Sequence, residues 1–177
     1  PYENKGNLSK VFAPESIKFN ALKEKPKYKA TGGTLVMKHW WAPLISGVVE
    51  QPQENTTWYA QTQIWSDEDK QREFWIGFNN LSRSMSTDSP NAGTWNNLKS
   101  QVWVNNELVS PPLWKHPNQK GNLEIPLIDE GCEFREPTLI SLKKGWNTVK
   151  VKLPVASFKG PNWTNPVKWM FTFVEVK

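Results

Sequence analysis

Leu142-Lys143-Lys144-Gly145-Trp146-Asn147-Thr148-Val149-Lys150-Val151-Lys152-Leu153 decides the fold class. Val149, Val151 and Leu153 alternate with Lys150 and Lys152. A period of two puts the apolar set on one face of a strand and the lysines on the other, so the stretch reads as a strand wet on one side. Lys143-Lys144-Gly145 is a turn into it. Gly145 has no Cβ and can take the positive φ of a tight turn, and Asn147 can bond backbone at the strand entry. Thr138–Leu142 is a further strand on the other side of that turn.

The same reading extends in both directions. Gly33–His39, Thr57–Trp65, Glu73–Asn79, Gln101–Asn105 and Val167–Val176 are further short strands separated by Gly, Pro, Asn and Asp. Trp58, Ala60, Thr62 and Ile64 share a face, as do Phe74, Ile76 and Phe78, then Val102 and Val104, then Trp169, Phe171 and Phe173. Asn105-Asn106-Glu107 turns the chain into Leu108-Val109 as a hairpin. The 14 prolines argue against long helices, and residues 8–22 are the best place for a short one. Such a series of short strands predicts an all-β, antiparallel β-sandwich. Residues 1–28 read as a Lys-rich leading segment or edge strand, and 29–177 as one domain.

Charge and composition exclude several functions. The net charge is +5, but residues 1–30 carry seven Lys against three Glu, so the body is near neutral. A nucleic-acid partner would need a basic stripe, which is absent from the sequence. No apolar run is long enough for a membrane-spanning helix. Cys132 is the single cysteine, so no internal disulfide forms. Pro1-Tyr2-Glu3 reads as the start of a mature or excised chain.

Val102-Trp103-Val104-Asn105-Asn106-Glu107-Leu108-Val109 and the Leu142–Leu153 stretch together resemble signatures of galactose-binding-like jelly rolls, which accompany many glycoside hydrolases. A longer ordered series runs through Thr31-Gly32-Gly33, His39-Trp40-Trp41, Thr57–Ala60, Asn79–Ser84, Gly93-Thr94-Trp95, Ser100–Asn105, Pro111–Trp114, Lys143–Pro154 and Val167–Phe171. It is similar to the C-terminal β-sandwich domain of bacterial β-N-acetylhexosaminidases, over about residues 28–177. Leu81-Ser82 and Met85 depart from that pattern, where Tyr-Gly and an acidic residue are expected around Arg83-Ser84. The resemblance implies a galactose-binding-like jelly roll, an extracytoplasmic (periplasmic, cell-surface or secreted) location and a non-catalytic accessory role. Its partners would be a glycan and the catalytic domain of the parent enzyme.

The side chains agree with the absence of catalysis. The long βα alternation of a catalytic barrel is missing. Asp129-Glu130 lies in a polar connection and reads as a surface turn, and His39 as a structural residue at a strand end. No cofactor motif occurs; Asp67 and Asp69, flanking Glu68, are the weak candidates for a structural calcium.

The 11 tryptophans carry the functional signal, because indoles offer flat apolar faces and an N–H to sugar rings. Trp58 and Trp169 read as core. Trp65, Trp75, Trp103 and Trp146 lie on the opposite strand faces, as a second buried layer or a domain-docking face, for which Trp65, Trp75 and Trp103 are the candidates. Trp40, Trp41, Trp95, Trp114 and Trp163 lie in loops or at strand ends, where they either plug the sandwich or meet a glycan. The candidate ligand residues are Arg83, Asp88, Trp95, Trp114 and Trp41, with Arg83 and Asp88 bonding hydroxyls beside a stacking indole. An internal Arg83–Asp88 pair that orders the loop is the competing reading.

Overall fold

A computed structural model describes residues 1–10, 33–39, 46–79, 90–114, 117, 137–158 and 168–177. Among these residues nine strands form: β1 (Tyr2–Glu3), β2 (Thr34–His39), β3 (Thr56–Ser66), β4 (Lys70–Asn79), β5 (Gln101–Val104), β6 (Glu107–Leu108), β7 (Thr138–Leu142), β8 (Gly145–Val155) and β9 (Lys168–Glu175). They pair antiparallel into a five-stranded sheet, β1-β3-β8-β5-β6, and a four-stranded sheet, β2-β9-β4-β7. The chain is an all-β antiparallel sandwich, with no helix among the described residues.

The core forms where the two apolar faces meet. Val149, Val151, Leu153, Val102 and Val104 from one sheet join Phe74, Ile76, Ile140, Leu142 and Trp169 from the other. Trp58 and Trp169 meet edge to face with ring centroids 6.0 Å apart, as their strand faces predict. An aromatic pair of this kind contributes about 0.5–1.5 kcal/mol beyond the area it hides.

Local chemistry sets the turns. Gly145 has φ +99°, the left-handed conformation its place in the turn requires. Asn105 and Asn106 have φ +50° and +68°, so the β5–β6 connection is a type I′ turn, whose twist matches that of the flanking strands. Gly47 lies where the loop after β2 crosses back: Val48 and Val49 donate to Val36 O and Met37 O, and a Cβ on Gly47 would stand 2.5 Å from Met37 O.

One expectation changes. The lysine face of β8 is not wet: Lys150 and Lys152 are both buried. The Lys152 amine donates to Leu8 O at 2.8 Å and to Gln101 Oε1 at 3.4 Å, while the Lys150 amine donates to Asn106 Oδ1 at 3.1 Å. Part of the cover over Lys152 comes from the start of the chain. Tyr2–Glu3 is an edge strand on β3, with the Tyr2 ring edge-on to Tyr59 at 5.7 Å. Buried Asn4 fixes the segment by donating to Thr57 Oγ1 and Val155 O and accepting from Gly6 N. Within the window proposed for a short helix, residues 8–10 are non-helical and 11–22 lie outside the described residues.

Candidate functional site

The structure separates the tryptophans by environment. Trp95 is 3% exposed and Trp114 8%. The Trp95 indole N–H donates to Val109 O at 3.3 Å, and its ring stands edge-on to Phe78 at 6.0 Å. The Trp114 N–H donates to Thr94 O at 2.7 Å. These two indoles therefore tie the 93–95 loop to the 109–114 segment, with their N–H groups spent on backbone carbonyls. They plug the sandwich rather than offer an open face. Asn96 orders the same loop, accepting from Leu98 N and Ser100 N and donating to Ser100 Oγ. Arg83, Asp88 and Trp41 lie outside the described residues.

The candidate docking residues do not form one surface. Trp65 and Trp103 project from the outer face of the five-stranded sheet, whereas Trp75 belongs to β4 and the outer face of the other sheet. Trp103 is buried. Trp65 is 54% exposed, and its neighbour is Trp146, 64% exposed. They are directly opposed in the β3–β8 ladder. Their ring centroids are 5.3 Å apart with planes at 71°, an open corner of two indoles.

Strand alternation places Trp146 among the outward indoles but not beside Trp65. The available signal was position: Trp65 stands just before the turn at 67–69, and Trp146 just after the turn at 143–145. Only the long-range pairing of β3 with β8 joins them. The next outward pair along the ladder is Gln63 with Thr148, then Gln61 with Lys150. Gln61 and Gln63 are exposed. The corner is thus continued by amide and hydroxyl groups, not by further apolar surface.

Two turns hold the corner. Ser66 Oγ donates to Glu68 O, closing the turn after β3. Asp69 accepts from Lys144 N at 2.7 Å and lies 3.7 Å from Lys143 Nζ, joining that turn to the one before β8. Asp67 pairs with Lys70 and stands 3.6 Å from Arg72. The Lys70 hydrogen bond holds the Asp67 carboxyl below its usual range, and Asp67 in return raises the Lys70 amine. Asp67 and Asp69 are therefore engaged with cations. No group of three or more His, Cys, Asp or Glu placed to hold a metal occurs among the described residues.

On the same sheet face, Lys152 differs electrostatically. Burial pushes its amine down to about 8, because its two acceptors are neutral and do not offset the lost hydration.

No family model matches the chain, and no curated protein or solved structure is significantly similar to it. Among the described residues, no helix is long and apolar enough to cross a membrane.

Proposed function

We propose that this chain is a non-catalytic accessory module of an exported glycoside hydrolase of the β-N-acetylhexosaminidase kind, and that it holds carbohydrate at the Trp65–Trp146 corner. The observation that carries the reading is the exposure of two adjoining indoles followed by uncharged polar side chains. A pyranose has an apolar C–H face and a rim of hydroxyls. An indole plane takes the first, and the amides of Gln61 and Gln63 and the hydroxyl of Thr148 take the second. The module would keep its parent enzyme at the glycan by raising effective concentration, outside the cytoplasm. It would perform no hydrolysis itself.

A second reading is favoured by the corner's position on an exposed strand face: the two indoles pack against the parent's catalytic domain and stabilise it. Against it, the polar continuation along the ladder would leave amides to be matched at an otherwise apolar interface.

Isothermal titration with chitooligosaccharides, N-glycans and galactosides distinguishes them. Carbohydrate binding predicts saturable heat with at least one of the three, abolished in Trp65→Ala and Trp146→Ala. Absence of heat with all three would overturn that reading and leave the docking one.

A further inference from the structure

A second surface on the outer side of the five-stranded sheet lies away from the indole corner. Lys152 follows Trp146 on the same strand face by six residues, roughly 20 Å along an extended strand. Beside it is a cleft of about 180 Å³, walled by Ser9 from the start of the chain, by Thr94, Trp95, Lys99 and Ser100, and by Val109. This is room for a small ion or a single substituent of a larger ligand.

The wall chemistry is one-sided. Lys99 and Lys152 both line the cleft, and no acidic residue does so among the described residues. Lys152 is 0% exposed, with its amine covered by Leu8 O and Gln101 Oε1, so its charge acts on the cleft through the wall. Lys99 is only partly buried and can reach a bound group directly. Ser100 Oγ accepts from Asn96 and keeps its own proton to donate. Thr94 donates its hydroxyl proton to Asn91 O, so it serves as wall and not as a donor. Two cations in a partly desolvated concavity, with no carboxylate among the described lining residues, produce a positive potential that a compact anion would relieve.

We infer that this cleft is a binding site for an oxyanion group, a carboxylate, sulfate or phosphate, held by Lys99 and Ser100 over the buried charge of Lys152. The free inorganic ion and an acidic substituent on a sugar share this chemistry. The inference does not rest on the indole corner.

The Trp95 indole proton sits in the cleft wall and reports on it in a nitrogen–proton correlation spectrum of the intact chain. The probes are sodium sulfate, sodium phosphate, glucuronate and N-acetylglucosamine 6-sulfate, with sodium chloride at matched ionic strength and neutral N-acetylglucosamine as controls. The expected result is a saturable shift of the Trp95 resonance with oxyanions only, and binding about tenfold weaker in Lys99→Asn, the loss of one charge-assisted contact. Asn suits the positive φ of 61° at that position, so this variant keeps the loop. Lys152→Met should weaken binding as well, and Lys99→Asn carries the test if that variant does not fold. Tighter binding of the sugar acids identifies an acidic glycan as the source, and tighter binding of the inorganic ions a free anion. Trp65→Ala should leave the titration unchanged. No saturable shift at tens of millimolar oxyanion, an equal shift with neutral N-acetylglucosamine, or unchanged affinity in Lys99→Asn would overturn the inference.

Discussion

Asn105 and Asn147 are joined side chain to side chain, Nδ2 of the first donating to Oδ1 of the second at 2.7 Å. Asn147 also accepts from Lys143 N and donates to Lys143 O and Gly145 O, while Asn105 Oδ1 accepts from Thr148 N. One fully buried amide therefore fixes the turn before β8 to the β5–β6 turn. Asn147→Asp removes the donor and sets a carboxylate against two carbonyls. It should cost about 2–4 kcal/mol, more than Asn105→Ala, in denaturant unfolding.

Lys152 sets a pH dependence. The folded chain releases this proton near pH 8, and the unfolded chain near 10.5. Between those values the unfolded state binds more protons, so this group's contribution favours the folded state increasingly as pH rises. Its penalty is fully present below pH 8. Lys152→Met should raise the melting temperature at pH 7 by about 3 °C, for about 1 kcal/mol after allowing for solvent near the cleft. The gain should shrink between pH 8 and 10.5. Thermal melts of both proteins across that range check the sign.

Trp58 Nε1 is buried with no hydrogen-bond partner among the described residues. Trp58→Phe removes that unsatisfied donor along with part of the ring. The two effects oppose, so stability should change by about 1 kcal/mol or less. Trp169→Ala, at the other side of the same contact, should cost about 3–5 kcal/mol. Comparing the two in one unfolding series separates the packing role from the polar defect.

Much of the fold was legible because a strand's period is local. Val149, Val151 and Leu153 announce their inward face, and Trp58 and Trp169 share faces with apolar neighbours and meet in the core. The outward faces were harder to read, because their cover is decided by distant residues. Lys150 and Lys152 look solvated by alternation, yet Leu8, Gln101 and Asn106 supply their acceptors from elsewhere in the chain. Trp75 reads like Trp65 and Trp103 by parity alone, and only sheet membership sends it to the other surface. Trp95 and Trp114 read as loop indoles that either plug the sandwich or meet a ligand, and only the partners of their N–H groups, Val109 O and Thr94 O, decide for the plug. The Trp65–Trp146 corner required knowing that β3 pairs with β8.

Exposure at that corner makes stability and binding separable. Trp65→Ala or Trp146→Ala loses one edge-to-face contact on an open surface and should destabilise by about 1 kcal/mol or less. Unchanged m-values and near-unchanged unfolding midpoints are expected, so a loss of glycan binding in either variant reports on the contact itself.

The most direct test of the account is the indole region of a nitrogen–proton correlation spectrum during titration with a chitooligosaccharide, an N-glycan and a galactoside in turn. The account predicts saturable shifts of the Trp65 and Trp146 indole protons with at least one of these, while buried Trp169 stays still. Shifts confined to other tryptophans, or no shift of Trp65 and Trp146 with any of the three, would contradict it.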